Sequence, residues 1–188
     1  KFSIGAINAT YEVYVKPYVD KCLDGNRETS IKVILGHSLD LIQHLQDNVL
    51  DMVFSAVPLK KNGFTCDVFD TDRIALVCAK GKNEYPTGVS KEQLKALPYL
   101  MGDLTLSDAG MFVRSMFPKN HVFRLEVDNT SKLFPYLENG LGYAFLPYKL
   151  VKEQIDGGVF EEVSLKDFTA PKVKTYLIYR QSYDVKRF

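Results

Sequence analysis

The sequence has no tryptophan, three cysteines and three histidines among 188 residues, and a net charge of only +1. Each shortage excludes something. Cys22, Cys66 and Cys78 are odd in number, far apart and without a Cys-x-x-Cys pair, which speaks against a disulfide framework and fits a reducing compartment. His37, His44 and His121 stand apart from the cysteines, so no metal-ligand spacing is present and no metal site is expected. No basic tract marks an electrostatic footprint for nucleic acid. No apolar run approaches the roughly 20 residues that cross a bilayer, so no membrane segment is expected. The chain opens at Lys1 and passes straight into a strand-like run, with no visible signal peptide, and the expectation is a cytoplasmic protein. No Ser–His–Asp, Cys–His or paired-carboxylate spacing stands out, so neither an enzyme nor a cofactor is expected.

What is present is a core-forming composition, 46% hydrophobic and 25% charged, in a length suited to one medium domain or two small lobes. "KFSIGAINA" (1–9) reads as a strand, and Thr10 precedes a helix whose apolar stripe is Tyr11, Tyr14, Val15, Tyr18, Val19 and Cys22. Pro17 predicts a kink in that helix and Gly25 its end. "SIKVILG" (30–36) is a second strand. Ser38 is placed to cap a helix carrying Leu41, Ile42, Leu45 and Val49, and "LDMVFSAV" (50–57) is a third strand. This βαβαβ order predicts a parallel sheet. "FTCDVFDTDRIALVCAK" (64–80) reads as two strand runs separated by the polar "DTD". Further on come a short helix at 91–97, a strand at 99–102, a helix capped by Ser107 and a strand at 121–127. A helix capped by Asp128 or Asn129 then runs to Glu138, with Pro135 in its middle.

"NGLGYAFLP" (139–147) predicts a helix end at Gly140 with positive φ, a close backbone approach at Gly142, a buried strand, and a helix started by Pro147. Gly140 and Gly142 do not make a dinucleotide fingerprint, because the third glycine is missing and the motif follows a helix. Strands at 159–165 and 172–181 complete the order. Two lobes follow: residues 1–73 with 180–188 returning to them, and residues 74–179. Two crossings suggest a hinge, with an inter-lobe cleft for a small ligand.

In parallel sheets ligands bind beyond the carboxyl ends of strands, at helix N-termini whose free N–H groups favour anions. That rule selects Ala9, Thr10 and Tyr11, then His37 and Ser38, then Ser55, Ala56 and Val57. From the second lobe it selects Gly102, Asp103 and Thr105, then Asn129 and Thr130, then Pro147 and Tyr148. Each has a structural alternative. Thr10, Ser38, Asn129 and Thr130 equally serve as caps, Ser55 as a satisfied strand end, and Tyr11 as core. Asp103 would repel an anion in the cleft, and Arg114 and Lys132 would offset it only if they left the surface.

The ordered pieces "FSIGAINATYEVYVKPYV", "SIKVILGHSLDLIQHLQDNVLDMVFSAVP", "DRIALVCAKG" and "LENGLGYAFLP" resemble the effector-binding domain of LysR-type transcriptional regulators over nearly the whole chain. Pro135 departs from the family pattern. The resemblance implies an α/β fold of the periplasmic-binding-protein type (type II) with a small effector between its lobes. It implies a homodimer through this domain and a tetramer in the complete protein. DNA would be reached through an N-terminal helix-turn-helix that these residues do not encode. Some family members sense oxidants through a cysteine pair, but Cys66 and Cys78 lie in predicted strands without a cationic neighbourhood and read as buried small hydrophobes. The alternative reading is a solute-binding protein of a transporter, which shares the fold.

Overall fold

The computed structural model describes residues 1–25, 28–102 and 108–183. It divides into two compact units, Lys1–Thr71 with Lys174–Phe188, and Asp72–Val173.

Unit 1 is built on β1 (Phe2–Ala6), β2 (Ile31–Leu35) and β3 (Met52–Ser55). β1 pairs in parallel with β2 and with β3, as the βαβαβ pattern requires. Strand β9 (Lys172–Arg180) adds to β3 antiparallel, from Met52 opposite Tyr179 to Ser55 opposite Tyr176. This pairing moves the return to unit 1 earlier than the residue-180 boundary read from the sequence, since β9 belongs to the sheet of unit 1 from Lys174 onward. Two apolar layers cover the sheet. Leu41, Ile42 and Leu45 of helix α3 (Ser38–Gln46) pack with Leu50, Val53 and Ile178. Ile4, Ala6, Met52 and Phe54 pack with Val15 on the other side.

The first helix departs from the sequence reading. It begins before Thr10, as α1 (Asn8–Thr10), passes through a π-helical segment at Tyr11–Val15 and continues as α2 (Lys16–Gly25). The disturbance expected from Pro17 takes the form of this wide turn immediately ahead of it, where a proline leaves no N–H for the regular ladder.

Strand β4 (Phe64–Ala79) is one continuous strand of 16 residues, not two runs broken at "DTD". It leaves unit 1 at Thr71. Within unit 2 it pairs antiparallel with β7 (Ala144–Pro147) and with β8 (Phe160–Glu162). β5 (Leu100–Gly102) and β6 (Leu125–Val127) pair in parallel. Helix α4 (Lys91–Leu94) opens on a complete capping box between Ser90 and Gln93. α5 (Asp108–Ser115) packs Ala109 and Val113 against Tyr99, Met116, Tyr143 and Phe145. The expected Ser107 cap lies outside the described residues. The strand expected at 121–127 is only three residues long.

The helix expected to run from residue 130 to Glu138 is split. A 3-10 turn, Thr130–Leu133, hands over to α6 (Phe134–Glu138), and Pro135 falls in the first turn of α6. A missing N–H costs nothing there, so the proline that departs from the family pattern is accommodated without a kink. After α6, Gly140 has φ +70°. At Gly142 a Cβ would sit 2.1 Å from the carbonyl oxygen of Pro98. Both glycines play the parts read from the sequence. Pro147 ends β7 and forms the N-cap of α7 (Tyr148–Asp156).

Candidate functional site

In unit 1 the registers place Ala6 level with Leu35 on one side and Phe54 on the other. The three carboxyl ends of the parallel strands are therefore in line, and the segments after them gather at one end of the sheet. Ile7 is the extended N-cap of α1, and its carbonyl accepts the Tyr11 N–H at 2.9 Å. Thr10 lies inside the first turn rather than at the cap and is 3% exposed. His37, not Ser38, is the N-cap of α3. Ser38 is the first helical residue, and its hydroxyl accepts the Ala56 N–H at 3.0 Å, tying the turn after β2 to the turn after β3. Ala9, Tyr11 and Ala56 are half-buried at the same end, and His37 is exposed.

Ser55 is fully buried at 0% exposure. Its hydroxyl donates to the Val57 carbonyl at 2.7 Å and accepts the Val57 N–H at 3.0 Å. The O–H and one lone pair of the hydroxyl are used within its own turn, as in the satisfied strand end weighed above.

In unit 2, β5 and β6 run side by side with Gly102 level with Val127. A Cβ on Gly102 would lie 2.6 Å from Thr130 Cγ2, so the absence of a side chain at 102 lets the 3-10 turn close onto β5. Asn129 caps that turn, its side-chain oxygen accepting the Ser131 N–H at 3.1 Å and the Ser131 hydroxyl at 2.9 Å. Thr130 is buried. The parallel bridge between Tyr99 and Tyr143 orients β5 and β7 alike, so Gly102 and Pro147 lie at the same end of unit 2. Asp103 and Thr105 lie outside the described residues. Arg114 is exposed and pairs with Glu126, and Lys132 is exposed, as their helix positions suggested.

The α7 N-terminus behaves differently from the sequence expectation. Asp72, 8% exposed, accepts the Lys149 N–H through Oδ2 at 2.8 Å and the Arg73 N–H through Oδ1 at 2.8 Å. The chain's own carboxylate already takes one N–H of this helix start. Arg73 stacks over the Tyr148 ring, 3.8 Å from its centroid, and pairs with Glu162 through both guanidinium nitrogens. This ion pair holds the Arg73 guanidinium above its ordinary pKa. Pro147 and Tyr148 therefore border an N-terminus at which one N–H, that of Lys149, is already taken.

Two residues earlier, Asp70 accepts the Tyr14 hydroxyl at 2.5 Å through Oδ2 and the Thr71 N–H at 2.9 Å through Oδ1. Sequence reasoning missed Asp70, Asp72 and Tyr14. The signal was the polar "DTD" break, read as the first crossing between lobes, and the division between Thr71 and Asp72 falls within it.

Burial pushes the Cys78 thiol up to about 12, with Glu161 adding to the effect. Cys78 is the buried hydrophobe expected, whereas Cys66, expected to be buried as well, is half-buried and accepts the Leu59 N–H through its sulfur at 3.4 Å. Among the described residues no group of three or more His, Cys, Asp or Glu side chains is arranged to hold a metal ion. No helix among them is long and apolar enough to cross a membrane.

A mixed α/β chain of two units joined through strands, with helices rising from the carboxyl ends of a parallel sheet, defines the class of periplasmic-binding-protein-like (type II) domains. The family model for the LysR substrate binding domain matches residues 1–186, and the chain belongs to that family. Among solved structures it is similar to the regulatory domain of AphB from Vibrio vulnificus, at 18% identity and a TM-score of 0.76, covering 100% of this chain and 94% of that one. It is also similar to the bromide-ion-bound regulatory domain of HypT from Salmonella typhimurium, at 17% identity and a TM-score of 0.73, covering 97% and 87%. A third is the sulfate-bound regulatory domain of an OxyR2 E204G mutant from Vibrio vulnificus, at 16% identity and a TM-score of 0.75, covering 99% and 89%. None of the curated protein sequences compared matches the chain. The three neighbours are regulatory domains.

Proposed function

We propose that this effector-binding domain of a LysR-type regulator takes a small anionic effector at the turns after the parallel strands of unit 1. The observation that carries the reading is the alignment of the strand ends at Ala6, Leu35 and Phe54, which brings Thr10, Ser38 and Ala56 to one end of the sheet. Helix starts there carry N–H groups and positive partial charge, which favour a negative guest. The bromide bound by HypT and the sulfate bound by the OxyR2 mutant support an anion. Ala9, Thr10, Tyr11, Ser38, Ser55 and Ala56 form the proposed contact set in unit 1, and Gly102, Thr105, Asn129, Thr130 and Pro147 are the strand-end residues proposed in unit 2. Ligand binding biases the arrangement of the two units and, through the oligomer, the DNA-binding domains of the whole regulator.

The test is a titration with sulfate and with small organic carboxylates, read by calorimetry. Thr10→Val keeps the shape and removes a donor, and a hydrogen bond to a charged group is worth about 1.5–3 kcal/mol. Affinity falls about ten-fold or more with the fold intact; an unchanged affinity sinks the assignment of Thr10. Assembly is tested separately. Helix α2 buries none of its residues, and Leu23 is 54% exposed. Leu23→Asp converts a dimer to a monomer in light scattering if this face is the interface; a wild-type chain that is monomeric at high concentration overturns it.

A further inference from the structure

The π-helical turn Tyr11–Val15 follows Thr10 directly, and Tyr14 lies within it. Tyr14 donates its hydroxyl to Asp70, one residue before the point where β4 leaves unit 1. The ring of Tyr14 also meets Phe69 edge-on at 5.4 Å, and Phe69 meets Phe54 edge-on at 5.1 Å. Asp70 uses its other oxygen for the Thr71 N–H, so a side chain occupies the amide of the crossing residue. A wide turn of this kind holds one residue more than a regular turn, and losing that residue of register swings the following side chains by about 100° around the helix axis. The conformation of this one turn therefore decides whether the phenol reaches the carboxylate.

We propose that Tyr14 is a positioning residue that tethers the crossing strand to the helix of the candidate site, so that the state of the turn after Thr10 sets the mobility of β4 at Asp70 and Thr71. The tether stands on geometry alone; its control by a ligand at Thr10 rests on the proposed function.

Amide-resolved hydrogen exchange by NMR on the whole chain tests both parts. The Thr71 N–H reports on Asp70, and the Arg73 N–H, which donates to Asp72 in unit 2, serves as the control. Tyr14→Phe keeps the ring and removes the hydroxyl. Thr71 exchange then speeds up ten-fold or more while Arg73 changes less than two-fold. Asp70→Asn keeps one oxygen for the Thr71 N–H, and its amide NH2 donates to the Tyr14 oxygen in place of the lost acceptor, so Thr71 exchange stays within three-fold of wild type. Unchanged Thr71 exchange in Tyr14→Phe overturns the tether, and so does an equal rise at Thr71 and Arg73, which marks general destabilisation. With sulfate as the probe, wild-type Thr71 exchange shifts three-fold or more, whereas Tyr14→Phe binds sulfate with no such shift. Sulfate binding with an unaltered Thr71, or a shift that persists in Tyr14→Phe, overturns the ligand control. Failure of sulfate to bind the wild type removes the ligand control along with the anion reading, and the ligand-free comparison then decides the tether.

Discussion

Asp72 and Lys149 are 77 residues apart in sequence, yet the Asp72 carboxylate accepts the Lys149 backbone N–H at 2.8 Å at the start of α7. A strand residue thus does the work of a helix cap for an element whose own N-cap, Pro147, has no side-chain acceptor. Asp72→Ala should destabilise unit 2 by about 2 kcal/mol, since a nearly buried carboxylate with two N–H donors is lost. Asp72→Asn keeps an oxygen acceptor without the charge and should cost about half as much. Urea denaturation measures both, and equal stability of Asp72→Ala and wild type would contradict the cap.

The two glycines of "NGLGYAFLP" should differ sharply. At Gly142 an added Cβ meets the Pro98 carbonyl oxygen, which also accepts the Tyr143 N–H at 3.0 Å. Backbone must move and that bond must break, so Gly142→Ala should cost on the order of 4 kcal/mol. At Gly140, with φ +70°, the nearest atoms are the flexible Lys82 side chain at 3.3 Å, so Gly140→Ala should cost only about 1 kcal/mol. A reversed order in thermal unfolding would refute this account.

Stability should fall at alkaline pH. Burial raises the folded-state pKa of Cys78 to about 12, from an ordinary 9.0. It also raises Tyr99, whose oxygen accepts the Phe145 N–H at 2.9 Å. A group raised in the folded state holds its proton while the unfolded chain releases it. Its contribution is therefore complete below the unfolded pKa and is lost as pH rises toward the folded value. The decline should begin near pH 9, and Cys78→Val should flatten its first part. A stability that is level from pH 8 to 11 would count against the buried thiol. Iodoacetamide at pH 8 should likewise modify Cys22 and Cys66 before Cys78, as peptide mass spectrometry can show.

Ser38→Ala removes the acceptor of the Ala56 N–H. The site is nearly closed to water, with Ser38 3% exposed, so the loss should cost about 1–2 kcal/mol in chemical denaturation. Ser38→Thr, which retains the oxygen, should recover most of it. No difference between the alanine and threonine variants would show that the bond is dispensable.

Where the sequence was legible, a local rule sufficed. Alternation and apolar runs gave β1, β2 and β3 and their parallel order, and the glycine after a helix gave the positive φ at Gly140. Where it was not, a distant partner decided. Ser38 has the chemistry of a cap, but Ala56, 18 residues away, draws its oxygen elsewhere. The polar "DTD" triplet reads as a break between two strand runs, but it lies inside one extended strand in which the first and third residues each take the next residue's N–H. The second oxygen of each goes to Tyr14 or to Lys149, and neither pairing follows from spacing. The candidate site was legible as strand ends, but the pairing of the Ser55 hydroxyl with both groups of Val57 was not.

The position of β9 has a consequence for how the protein is made. Residues 72–173 are contiguous, so every strand and helix of that unit has been synthesised before β9 follows. Unit 1 begins earlier, but β3 lacks its antiparallel neighbour until Lys174–Arg180 emerges. On the ribosome the later half of the chain is therefore complete first, while the earlier half waits with an open strand edge, the kind of edge that recruits chaperones or aggregates. Pausing or truncation between residues 173 and 180 should leave a finished second unit attached to an unfinished first one.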